Sequence, residues 1–350
     1  MRRIAPMAAL LAVAVLAGCG GSEPASSEAR TRRTTTGGGS GAATGDSGVT
    51  GAPSASGSGS TTTTRTGGGT GGGAAAPTTT TVVTDPVCLG SNQRVDRDVP
   101  YATVSGVDPS LLSLDVYAPV RDAACPRTHV LVSVHRGGWS GGDKADIGRR
   151  AALALREGWV LVSVNHRVAP AAKYPTFDED VARAIAWVTQ NIGRYGGDPA
   201  HITIMGTESG AVVSAETVAD ARHLARAGLP LAAVRCAVLA DGRYDIAALG
   251  RTGSPAVLAA YGNDPRVWSD ASAIGHIAPG TGMARLLVIV RGTAAERASG
   301  IALANRARAS GVPATVLTAA AFSGPALDDA IGAADETIIT PSVTDFIRSC

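Results

Sequence analysis

Residues 130–144 read Val130-Leu131-Val132-Ser133-Val134-His135-Arg136-Gly137-Gly138-Trp139-Ser140-Gly141-Gly142-Asp143-Lys144. A short run rich in β-branched side chains leads straight into a loop of glycines. The run is continuous rather than alternating, as expected for a strand covered on both faces in a parallel sheet. Similar runs recur at Val160–Val164, Ile202–Met205, Val234–Leu239 and Leu286–Val290. Before them, Val99–Val104 and Leu112–Tyr117 alternate apolar and polar residues, as in an opening hairpin. Helical patterns fall between the runs. Asp180–Ile192 groups Val181, Ile185, Trp187 and Val188 near one stripe, and Ala294–Ala309 and Pro341–Arg348 are further helix candidates. Strands alternating with helices predict one α/β domain over residues 86–350, with a mainly parallel sheet flanked by helices. In such a domain ligands sit beyond the carboxyl ends of the strands, so the loops after these runs are where chemistry is sought.

Those loops carry specific motifs. His135-Arg136-Gly137-Gly138-Trp139 follows the first run, and Asn165-His166-Arg167 ends the second. Tyr174-Pro175 with Asp178–Val181 comes next, and Tyr195-Gly196-Gly197-Asp198-Pro199 precedes the third run. Together, over Leu112 to Phe346, they resemble the α/β-hydrolase superfamily, in its carboxylesterase and hormone-sensitive-lipase-like (BD-FAE-like) branch. The resemblance implies a Gly-x-Ser-x-Gly corner presenting a nucleophilic serine. Here the corner reads Gly206-Thr207-Glu208-Ser209-Gly210, so Glu208 holds the nucleophile position. A glutamate there would carry backbone strain of about 1–3 kcal/mol.

The resemblance also places the oxyanion amides at Gly137, Gly138 and Ser209. Arg136 replaces the first glycine of that loop. Two orientations are open to it: pointing to solvent, or turning inward to pair with Glu208, since a sequestered carboxylate needs a cation. The catalytic acid would follow Leu286–Val290, where Gly292-Thr293-Ala294 is succeeded by Ala295; the adjacent Glu296 is a candidate shifted acid, and Asp241 and Asp245, after Val234–Leu239, are candidates by analogy with hydrolases that place the acid there. The catalytic histidine would lie near Phe322–Leu327, yet no histidine follows His276. The expectation is a pseudo-hydrolase that binds a small molecule, lipid, cell-wall component or protein partner. The alternative is an active ester hydrolase using Ser209 or an unusual acid–base arrangement.

The N-terminus reads as an export leader over residues 1–18. Arg2 and Arg3 precede an apolar stretch from Ile4 to Ala17, too short to span a bilayer. Leu16-Ala17-Gly18-Cys19 resembles the lipobox of bacterial lipoproteins, which implies acylation of Cys19. The expected location is the outer face of the cytoplasmic membrane, with the membrane itself a partner through Cys19. Residues 19–85 are Gly, Ser, Thr, Ala and Pro with few apolar side chains, the composition of a disordered tether. Such a coil spans about 45 Å. The threonine runs at 34–36, 61–64 and 78–81 are candidate sites for O-linked sugars.

Four cysteines remain: Cys88, Cys125, Cys236 and Cys350. An even number in an exported domain suggests two disulfides. Of the three pairings, Cys88–Cys125 would staple the domain entrance, while Cys236–Cys350 would pin the C-terminus to a central strand. Their spacing fits no zinc pattern. A net charge of +2 and 4% aromatic residues argue against a nucleic-acid partner. Gly67–Gly73 follows no strand and precedes no lysine, so it is no phosphate loop, and no cofactor is implied.

Overall fold

A computed structural model describes Cys88 and residues 92–350. The predicted leader (1–18), Cys19 and the tether (19–85) lie outside the described residues. Eight strands form one sheet in the order β1-β2-β4-β3-β5-β6-β7-β8. They are β1 Gln93–Pro100, β2 Ser113–Pro119, β3 Thr128–Val134, β4 Val160–Val164, β5 Gly197–Thr207, β6 Cys236–Ala240, β7 Arg285–Val290 and β8 Ala314–Thr318. β1 pairs antiparallel with β2 and β2 with β4, while every later pairing is parallel.

The period of two in a strand explains why the central runs carry no polar face. Val130, Val132 and Val134 point into one apolar core, where Val160, Val162, Leu286 and Val288 join them. Leu131, Leu161, Leu287 and Ile289 point into the other. Each face therefore needs its own cover. Helices α2 (Thr176–Asn191) and α3 (Ser209–Ala219) pack on the first core. Helix α1 (Arg150–Glu157) and the C-terminal helix Ile339–Arg348 cover the second.

Two strands depart from the sequence expectation. The opening strand runs over 93–100 rather than 99–104. Its side chains are mostly exposed, so its apolar pattern is faint. Its register with β2 shifts between Asp96 and Val99, where Asp98 has φ 54° and gives its N–H to Asp115 Oδ1 at 2.9 Å. β8, at the other edge, is half-exposed along its length and has no continuous apolar run to announce it. The disulfides join Cys88 to Cys125 and Cys236 to Cys350.

The first core contains a polar inclusion. Asp178 of α2 and Glu216 of α3 are both buried. Glu216 accepts the Tyr261 hydroxyl at 3.1 Å, whereas neither Asp178 oxygen receives an ordinary donor. Burial pushes both carboxyls well above their usual range, which favours a hydrogen bond between the two. Such a bond requires a shared proton. Folded-state pKa values raised above the unfolded ones stabilise the fold fully below about pH 4. That contribution fades as pH rises through the raised values. Asp178→Asn removes the need for the proton. Its stability relative to wild type should therefore improve from pH 5 to pH 8.5 in urea unfolding; parallel curves would refute the shared proton.

Candidate functional site

The carboxyl ends of β3, β5, β6 and β7 stand side by side around the corner at Glu208. β5 ends at Thr207, and Glu208 occupies the turn into α3 with φ 51° and ψ −120°. Glu208 gives its N–H to the Ala240 carbonyl at 2.9 Å, tying the corner to the end of β6. The flanking glycines are required by space. A Cβ on Gly206 would stand 2.2 Å from the Gly210 carbonyl oxygen, and one on Gly210 would stand 2.5 Å from the Val134 and His135 oxygens. The corner is thus an acute one, with a strained non-glycine residue at its apex.

The glycine loop after β3 is anchored at its far side. Lys144 gives its N–H to Asn165 Oδ1 at 2.6 Å, and its ammonium meets Asp98 at 2.7 Å and Asp115 at 3.2 Å. Among the described residues neither Gly137 nor Gly138 gives its N–H to a protein acceptor. Ser209 is the first residue of α3, where the N–H has no acceptor within the helix. The Ser209 side chain itself is buried.

Arg136 turns toward the corner. Its Nη1 lies 3.8 Å from Glu208 Oε1, and its Nε lies 3.4 Å from Asp328 Oδ2. Asp328 is a buried hub. It accepts the Thr207 hydroxyl at 2.7 Å and a guanidinium N–H of the buried Arg150. On the opposite side stands Arg291, whose Nε meets Asp241 at 2.5 Å. Burial raises the Asp241 carboxyl above its usual range, and Arg291 opposes that shift. A Cβ added to Gly324 would lie 3.0 Å from Glu208 Oε1 and 3.1 Å from Arg291 Nη2. The corner carboxylate therefore faces Arg136 and the bare backbone of Gly324, a glycine that Arg291 also approaches.

Arg136 and Glu208 are each more than a third exposed, at 39% and 35%. An exposed pair at this distance contributes about 0–1 kcal/mol. It holds little stability and opens readily to a competing ion.

The other predicted carboxylates are engaged elsewhere. Glu296 forms a capping box with Thr293 at the start of the helix Ala294–Ala309, beside Ala295. Asp245 caps the helix Ile246–Gly250. The six histidines also have other settings. His135 stacks on His166 with centroids 4.3 Å apart. Burial lowers His135, and burial with the nearby His135 ring lowers His166 to about 3. Both are neutral at pH 7. His129 and His201 meet edge-on toward the amino ends of β3 and β5. Burial lowers His223 to about 4, and His276 Nε2 faces the Asp270 carbonyl at 2.6 Å. Among the described residues none is hydrogen-bonded or ion-paired to Glu208 or Ser209.

A family model described as BD-FAE matches residues 114–222. Solved esterases share this overall fold. A truncated carbohydrate esterase from gut microbiota superposes with a TM-score of 0.60 at 22% identity, covering 73% of this chain and 95% of that one. This chain has the α/β-hydrolase fold. A second solved structure, an esterase of Pyrobaculum calidifontis, matches with a TM-score of 0.54 at 22% identity over 74% of this chain and 85% of that one. Among curated relatives, Esterase LipQ of Mycobacterium tuberculosis is 36% identical over 137 residues, or 38% of this chain and 32% of the relative. The match thus spans about a third of that relative's length.

Sequence reasoning missed three residues around the Glu208 corner. Arg291 had a signal: it is a charge one position beyond a buried apolar run, at the ligand end of the sheet. Gly324 and Asp328 stand in or beside Phe322–Leu327, where the resemblance places the catalytic histidine, but which side chains of that segment reach Glu208 is set by tertiary packing.

Proposed function

We propose that this chain is an exported, lipid-anchored pseudo-hydrolase. It uses the esterase cleft to bind a ligand without hydrolysing it. Glu208 at the apex of the nucleophile corner carries this reading. A serine there attacks a carbonyl only after a base takes its proton. Glu208 has no hydroxyl to offer, and its neighbours are guanidinium groups rather than an imidazole. Ser209, the next residue, is buried and begins α3. Ala295 and Gly324 carry no group able to hold or relay a proton.

The free N–H groups of Gly137 and Gly138, the Glu208 carboxylate and the two arginines suit a ligand with both an oxyanion and a polar or cationic portion. Small molecules, lipids and cell-wall components all offer such groups. Anchoring at Cys19, with residues 19–85 as tether, would hold this cleft outside the cytoplasmic membrane. The relatives named as esterases support the alternative, ester hydrolysis through Ser209.

Fluorophosphonate labelling separates the two. The full chain, folded by circular dichroism, should give no adduct by intact mass and no turnover of p-nitrophenyl acetate above the Ser209→Ala variant. An adduct lost in Ser209→Ala would overturn the binding reading and make Ser209 a working nucleophile.

A further inference from the structure

A second cavity lies at the other end of the sheet from the esterase cleft. It has a volume of about 510 Å³ and is bordered by Arg94, Arg121, Arg127, Arg194 and Tyr195. Arg121 follows β2 and Arg127 precedes β3. Arg194 belongs to the turn before β5. These are the amino ends of β3 and β5, whereas Glu208 and the glycine loop stand at their carboxyl ends. The disulfide at Cys125 fixes the loop between Arg121 and Arg127.

The turn motif around Tyr195 gains a physical reason here. A Cβ on Gly193 would meet Arg127 Nη2 at 3.3 Å, and one on Gly196 would meet Arg121 Cδ at 3.3 Å. Glycine at both positions leaves room for the two arginine side chains. Arg194 lies over the Trp187 ring at 5.2 Å and the Tyr195 ring at 5.3 Å, while Arg94 lies over Tyr195 at 4.8 Å. Aromatic stacking orients a guanidinium while leaving its N–H edge available.

The charge is only partly compensated. Arg94 is engaged by Asp96 at 2.9 Å. Among the described residues Arg121, Arg127 and Arg194 make no salt bridge to a carboxylate, and Arg127 acts on Asp198 only at longer range. The buried Nε of Arg121 has no acceptor. Asp122 is the single acid among the lining residues.

We propose that this cavity binds a phosphate ester. The three forks of Arg121, Arg127 and Arg194, approaching from the β2–β3 loop and the turn before β5, suit a tetrahedral group with several acceptor oxygens better than a planar carboxylate. The volume exceeds that of bare phosphate and leaves space for an attached glycerol-sized group. The ester's source is either a soluble phosphate or an anionic lipid headgroup. The inference is independent of the reading given to the esterase cleft.

The test uses the full chain with inorganic phosphate, glycerol 3-phosphate, and vesicles of phosphatidylcholine with or without phosphatidylglycerol. Calorimetry should detect glycerol 3-phosphate, with affinity falling on the order of tenfold in Arg127→Gln and in Arg121→Gln. Arg266→Gln, a highly exposed arginine on another face, should leave it unchanged. Affinity should also fall steeply with salt. Vesicle flotation that needs phosphatidylglycerol and is competed by glycerol 3-phosphate would assign the headgroup as source. Binding of the soluble esters alone would assign a free phosphate. No binding to any of these probes, or equal binding by the wild type and both variants, would overturn the proposal.

Discussion

Asp328→Ala should cost about 3–5 kcal/mol in urea unfolding, the usual cost of removing one partner from a buried ion pair. Asp328 is 5% exposed and Arg150 3%. Arg150 reaches Asp328 through Nη2, and no other carboxylate pairs with it among the described residues. Truncation leaves that guanidinium buried without its counter-ion. It also strands the Thr207 hydroxyl and frees Arg136 from one of its two anchors. Asp328→Asn keeps the shape and one acceptor oxygen, so it should cost measurably less than the alanine variant. Removing Arg136 instead should cost little, because that side chain is well exposed and its pair with Glu208 is weak. A loss below about 1 kcal/mol in Asp328→Ala would show that water reaches Arg150 and that Asp328 is no hub.

The second large effect is expected at the Cys236–Cys350 disulfide. It closes a sequence separation of 114, against 37 for Cys88–Cys125. In the chain-entropy account, restricting the unfolded chain contributes about 4–5 kcal/mol for the longer loop, and about 1 kcal/mol less for the shorter. Cys236 is the first residue of the buried strand β6, and Cys350 follows the C-terminal helix. The bridge therefore ties the last helix, which covers one face of the sheet, to a central strand. The double variant Cys236→Ser/Cys350→Ser should unfold at markedly lower urea than Cys88→Ser/Cys125→Ser. The reverse order, or no loss in either, would show that native packing rather than loop closure governs these bridges.

Much of this architecture was legible because burial on both faces leaves a local mark. Each central strand is a short unbroken apolar run, and each run feeds two cores by the alternation of its side chains. The corner at Gly206–Gly210 was legible for a similar reason: tight backbone contact leaves glycine as the residue that fits, at fixed spacing around Glu208. The inward turn of Arg136 was one of two orientations the sequence left open, while the two disulfides followed from an even cysteine count and the placement of the partners. The edge strands β1 and β8 were illegible because a half-exposed strand needs no continuous run.

What only the tertiary structure decided is the company that Glu208 keeps. Arg291 arrives from the end of β7, while Asp328 and Gly324 arrive from a helix more than 100 residues beyond the corner. Arg150 comes from the start of α1. The four arginines of the second cavity likewise come from β1, the β2–β3 loop and the turn before β5. Backbone hydrogen bonding and apolar periodicity act over a few residues and are written locally. Ion pairs act through space, and their partners take adjacent positions only once the sheet has brought the ends of its strands together.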